Sequence, residues 1–196
     1  MALSLAKNQS ISLEKTAGTP LSTLRLGLGW DPVKSTGFLS KLLGSGNSID
    51  LDASCILLDS QFNSLDMVWF CQLESKDGSV QHSGDNLTGE GDGDDEVIYV
   101  DLQHLPANVH YLILTVNSFH GQSFDQVENA YCRLLSQPDN QELARFNLSE
   151  KGSHTGVIMA SLSREQEGWQ FKAIGQPTQG RTAEDLVSLA VQAVRP

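Results

Sequence analysis

Between Asp77 and Cys132 the chain has no lysine or arginine, although ten of its 24 acidic residues lie there. All 13 bases lie outside that stretch and nearly balance the remaining acids, so the net charge of -11 is a local feature. A stretch without bases offers nothing to a phosphate backbone, which argues against a nucleic-acid partner and for cations. Long apolar runs are also missing. No segment approaches the ~20 residues that cross a bilayer, and the opening MALSLAKNQSISLEK alternates where a cleaved signal peptide needs a continuous apolar run. Cysteine is scarce: Cys55, Cys71 and Cys132 each sit inside a strand-like apolar run. An odd, scattered count fits buried thiols in a reducing compartment, so a cytoplasmic location is expected. Catalytic signatures are absent too, with no GxSxG, HExxH, CxxC pair or phosphate-binding glycine loop. The five histidines (His82, His104, His110, His120, His154) are dispersed. His82, just before the acidic segment, reads as an exposed strand end, and His120 as a polar turn residue. No enzymatic activity is expected.

What is present is period-two alternation, from the first residues onward. At 196 residues the chain suits a single domain over 1–196. Leu3 and Leu5, then Ile11 and Leu13, read as two short strands. LRLGLGW (24–30) places Leu24, Leu26, Leu28 and Trp30 on one face and two glycines on the other. PVKSTGFLSKLLGSGNS reads as a long connection. IDLDASCILL, LDMVWFCQL, EVIYVDL, HYLILTVNS, AYCRLLS, LARFNLS, TGVIMASLS and GWQFKAIG follow as strands. Trp69 and Phe70, like Trp30 and Trp169, are expected in the core. SFDQVENA (123–130) reads as one helical turn with Ser123 as N-cap. TAEDLVSLAVQAVR (182–195) is an amphipathic helix that opens on Thr182 and Asp185 at capping-box spacing. The expected fold is all-β: a two-sheet antiparallel β-sandwich with a short helix and a C-terminal amphipathic helix, the latter covering an edge or an end.

The segment GDNLTGEGDGDDE (84–96) holds six carboxylates, mostly separated by glycine. In a compact loop, fifteen repelling pairs at about 0.5 kcal/mol each in water come to several kcal/mol, a large share of the ~5–15 kcal/mol that keeps a domain folded. The segment therefore stays open or encloses a cation. Calcium takes six to eight oxygens and tolerates irregular geometry, whereas magnesium demands a near-ideal octahedron. Transition metals would recruit histidine or cysteine, and this loop has neither. An EF-hand is excluded: counting from Asp85, Leu87 fills the third position and Glu90 the sixth, where glycine is needed. A strand-flanked site must then borrow ligands from other loops, and Asp31, Asp50, Asp52 and Asp77 stand at strand ends.

At these residues the sequence resembles the TerD-type tellurium-resistance proteins, a bacterial stress-response family. The resemblance runs through LSLAKNQSISLEK, LGLGWD, IDLDAS, KDGSVQHSGDNLTGEGDGDDE, SFDQVENAYCRLL and ELARFNLS. It implies a calcium-binding β-sandwich that holds two calcium ions among acidic loops at one end. It also implies a part in tellurite resistance, phage resistance and tolerance of toxic agents. Carried over by position, it assigns Asp85, Asn86, Thr88, Glu90, Asp92, Asp94, Asp95 and Glu96 as the ligand-bearing stretch, with Asp31, Asp50, Asp52 and Asp77 as contributors. The connection after GWD is longer than the family pattern, and Leu87 replaces an expected polar or basic residue. The expected function is calcium-dependent structuring of acidic loops for protein partners of a stress-response complex, with a membrane association of that complex open. The alternatives are a calcium-dependent membrane-surface module and a carbohydrate-binding module. Leu87 is the one apolar residue in the loop and no base adjoins it, which disfavours the membrane surface.

Overall fold

The alternation of LRLGLGW is realised in a strand whose Leu24, Leu26, Leu28 and Trp30 are all buried in the main core. The computed structural model describes residues 3–32, 49–86, 93–137, 139–149 and 151–195. The connection expected over 32–48 lies outside the described residues apart from Pro32, which ends a strand; Leu87, Thr88, Glu90 and Asp92 lie outside them too. Two six-stranded sheets face each other across the core. The first runs in the order β1 (Leu3–Ser4), β10 (Glu142–Asn147), β9 (Val127–Gln137), β3 (Thr23–Pro32), β7 (Glu96–Asp101), β6 (Val80–His82). The second runs β2 (Ser10–Ser12), β12 (Gly168–Thr178), β11 (Gly156–Glu165), β8 (Tyr111–Asn117), β4 (Asp52–Leu58), β5 (Ser64–Val68). Neighbours are antiparallel apart from β1 on β10. The expected β-sandwich is therefore the observed architecture.

The second sheet is buried on both faces. Cys55, Leu57, Leu112 and Leu114 face the main core, while Ile56, Leu58, Ile113, Ile158 and Ile174 point the other way. The C-terminal helix covers this second set, with Leu186 and Ala190 fully buried against it. It thus lies across a sheet face, not over an edge or an end. The cause is chemical: a row of branched aliphatics on the outer face needs more apolar cover than one strand edge does. The helix (Ala183–Val194) begins with the expected capping box: Thr182 Oγ1 accepts from the Asp185 N–H at 3.3 Å, and Asp185 Oδ2 accepts from the Thr182 N–H at 3.1 Å.

Three local expectations change. The strand at Ile11 stops at Ser12, and Leu13–Ala17 forms a helical turn ended by Gly18 at φ 73°, a left-handed value suited to glycine. SFDQVENA is helical only as a 3-10 turn at Phe124–Gln126, and Ser123 makes no side-chain cap. From Val127 the backbone is drawn into the ladder with β3. Leu65–Leu73 is strand only to Val68; Trp69 and Gln72 then pair across a tight turn, which leaves Trp69 and Phe70 partly exposed. Among the described residues no helix is long and apolar enough to cross a membrane.

Candidate metal centre

One end of the sandwich gathers the start of β4, the end of β8, the end of β3 and the start of β7, because Asp52 pairs with Asn117 and Leu28 with Glu96. Trp30 fixes the approach to β4, since its indole N–H donates to the Ile49 carbonyl at 3.1 Å. The next residue is Asp50, at 8% exposure, and Asp52 follows at 4%. Asp85, exposed, arrives from the segment after β6, and ligand oxygens of the three carboxylates lie within 4.8 Å of one another.

These three aspartates have few donors. Asp52 accepts from Asn117 Nδ2 at 3.3 Å and from the Phe119 N–H. Asp50 Oδ2 lies 3.3 Å from His120 Nε2, while its other oxygen, Oδ1, is buried without a hydrogen-bond partner. Burial pushes the Asp52 carboxyl up to about 7, with Asp50, Glu96 and Asp85 adding to the rise and the Phe119 N–H opposing it. Asp50 is raised for the same first reason, then by Asp85; His120 pulls it back. An all-carboxylate set with an orphaned oxygen fits a hard divalent cation. Two oxygens on opposite sides of a calcium ion, each about 2.4 Å from it, are about 4.8 Å apart, so the spacing fits as well.

The acids at 94–96 are engaged differently. The side chain of Asp94 is fully buried between two guanidinium groups, 3.1 Å from Arg25 Nη2, and 2.7 and 3.0 Å from Arg133 Nε and Nη2. It lies on the outer face of the first sheet, where a Cβ on Gly27 would overlap its carboxylate and one on Gly29 would strike the Tyr131 ring. The two glycines of LRLGLGW make room for this clamp. Tyr131 donates its hydroxyl to the Gly93 carbonyl at 2.7 Å, and burial followed by Asp94 pushes its phenol up to about 12. The Asp95 N–H donates to the Leu28 carbonyl, and its carboxylate accepts from the Trp30 N–H at 2.8 Å and Asn86 Nδ2 at 3.1 Å. A register shift between Gly29 and Asp31 frees that Trp30 N–H from the ladder. Glu96, wholly buried, ties the sheets together: it accepts from the Ala53 N–H at 2.7 Å and the Asn86 N–H at 3.1 Å. His82 joins it at 3.2 Å. The Gly84 N–H donates to His82 Nδ1, which assigns the ring proton to Nε2, aimed at Glu96 and the Ala53 carbonyl. His82 is therefore a buried crosslink and not an exposed strand end.

Asp31 accepts from Asn129 Nδ2 at 2.7 Å and lies close enough to help raise Asp95, whose main cause is burial. A groove of about 650 Å³ opens beside these two. Asp77 holds the turn before β6, accepting from the Ser79 N–H at 2.8 Å, at the other end of that strand from Asp85. The structure thus brings Asp50, Asp52 and Asp85 together, anchors Asp94, Asp95 and Glu96 on protein donors, and leaves Asp77 apart. Sequence reasoning missed Arg25, Arg133 and His120. The only signal for the first two was the glycine face of β3.

The TerD domain family matches residues 1–190. The chain is 57% identical to the tellurium resistance protein TerZ of Serratia marcescens over 98% of each chain. It is 42% identical to the stress response protein SCP2 of Bacillus subtilis over 96% of this chain and 98% of that one. A crystal structure of a homologue of the telluride resistance protein TerD from Streptomyces coelicolor A3(2) superposes with a TM-score of 0.68 at 19% identity, covering 86% of this chain and 96% of that chain.

Proposed function

The chain belongs to the TerD domain family, and from that premise we propose that it is a cytoplasmic, non-enzymatic calcium-binding protein of the tellurite and stress response whose ions order acidic loops for protein partners. The observation that carries this reading is the orphaned, buried oxygen of Asp50 within a triad of carboxylates. A bound cation would supply the positive charge these groups lack and crosslink the loops bearing Asp50 and Asp85 to the first residue of β4. His82, Asn86 and Glu96 hold those loops in place from the protein side, so the site is largely shaped before an ion arrives. An ion that binds only the folded chain adds about 2.7 kcal/mol of stability at a hundredfold excess over its Kd.

Calorimetric titration with calcium, and with magnesium as comparison, tests this. Calcium is expected to bind and raise the melting temperature, with two ions as the family resemblance implies. Asp50→Asn with Asp85→Asn is expected to remove one binding event. Identical melts in calcium and in chelator would overturn the reading.

A further inference from the structure

The end of the sandwich that carries the triad also carries three aromatic rings that do not enter the core. Trp69 and Phe70 stand on the turn after β5, and Phe119 follows β8. Trp69 and Phe70 pack edge to face with centroids 5.0 Å apart, Phe70 and Phe119 at 5.7 Å, and Phe119 and His120 at 5.7 Å. Phe119 is 45% exposed. The row runs directly into the carboxylates, because the Phe119 N–H bonds Asp52 and His120 Nε2 reaches Asp50. The local sequence Val68–Trp69–Phe70–Cys71 gives no sign of this: only the pairing of Trp69 with Gln72 turns the rings outward.

We propose that the Trp69–Phe70–Phe119 ridge and the adjoining carboxylates form a docking surface for a protein segment that presents apolar side chains flanked by lysine or arginine. Large exposed apolar groups beside a charged rim mark interaction sites. The rings take the apolar side chains and the methylene stems of the bases. Aromatic faces and carboxylates both attract the cationic ends. Charge selects the occupant. Among the described residues, Arg181 over Gly121 stands against the three aspartates of the triad. An anionic membrane would be repelled by the same groups that attract a basic segment. The proposal concerns the ion-free surface, since one divalent ion together with Arg181 would neutralise the three carboxylates, and the titration is therefore made in chelator.

Trp69 reports on the surface, because Trp30 and Trp169 are buried at 4% and 5% exposure. The full chain is titrated with an amphipathic leucine–lysine peptide while tryptophan emission is followed, with a leucine–glutamate peptide of the same pattern and phosphatidylserine vesicles as comparisons. The leucine–lysine peptide is expected to give a saturable blue shift. Phe70→Ser with Phe119→Ser should weaken binding roughly tenfold or more, while Phe119→Leu keeps most of it. If the double variant melts early, Phe119→Ser alone, at an exposed side chain, provides the reading. Binding that survives the phenylalanine changes is general attraction to an acidic chain and overturns the proposal. So does equal binding of the leucine–glutamate peptide, absence of any response, or a response to vesicles alone. Should calcium fail to bind while the phenylalanine-dependent shift remains, the docking surface stands and the cation reading falls.

Discussion

Replacing one buried aspartate of the triad should stabilise the ion-free protein. Oxygens of Asp50, Asp52 and Asp85 lie no more than 4.8 Å apart. An ionised pair at that distance costs about 0.9 kcal/mol with water-like screening and about 3.5 kcal/mol at an effective dielectric of 20. Burial is the main reason that the Asp52 carboxyl is raised from 3.8 to about 7, and repulsion from Asp50, Glu96 and Asp85 adds to it. Between those values the folded chain holds a proton that the unfolded chain has released. The associated stability is therefore complete below the unfolded value and is lost as pH rises through about 7. At 1.36 kcal/mol per unit the loss is about 2–4 kcal/mol, the lower figure reflecting water at the exposed Asp85. Asp52→Asn keeps an oxygen for the Phe119 N–H and removes the charge. In chelator at pH 8 it should melt roughly 5–10 °C above the parent, since each kcal/mol is worth about 2–4 °C at this chain length. At pH 5 the gap should shrink to under half, and it should close only as pH falls below the unfolded value of 3.8. With calcium the parent should gain more than the variant. A variant that melts below its parent in chelator at pH 8 would refute the electrostatic account of this site.

Gly27→Ala forces the Asp94 carboxylate off Arg25 and Arg133 and should cost about 2–4 kcal/mol, discounted for the partial exposure of both arginines; combining it with Asp94→Ala in a double-mutant thermal-melt cycle should give strong non-additivity. Asp94→Asn alone should lower the melting temperature yet leave the calorimetric calcium stoichiometry unchanged. Burial pushes the Cys55 and Cys132 thiols up to about 12 while Cys71 is exposed, so a thiol-reactive dye should label one cysteine in the native chain and three after denaturation.

The sandwich was readable because β3, β4, β7, β8 and β11 carry long alternating or continuous apolar runs, and a run of that length leaves few other ways to bury its side chains. What alternation could not rank was the second apolar face of the inner strands. Ile56, Ile113 and Ile158 read as ordinary strand residues, and only the stacking order shows that they share a surface that the C-terminal helix must cover. Short elements escaped for a similar reason. Val80–His82 is too brief for a periodic signal, and it becomes a strand because β7 offers it an edge. Tertiary pairing likewise turned Trp69 and Phe70 outward against their propensity.

The acidic segment was legible as a place and not as a set of roles. Counting charges along the chain finds no base between Asp77 and Cys132, and from that count every carboxylate of 84–96 is equally short of a partner. The fold supplies partners from far away in sequence: Arg25 and Arg133 for Asp94, the Trp30 and Ala53 amides for Asp95 and Glu96. Such anchoring removes these acids from the sum of repulsions, which then concentrates where donors are scarce. That place is Asp50, Asp52 and Asp85, two of which belong to a different segment from the one whose composition drew attention. Calcium dependence should accordingly follow substitutions at positions 50, 52 and 85 more closely than at 94 or 96. Losses at those last two positions should show first as lost stability in the absence of any ion, because there the carboxylates hold strands together.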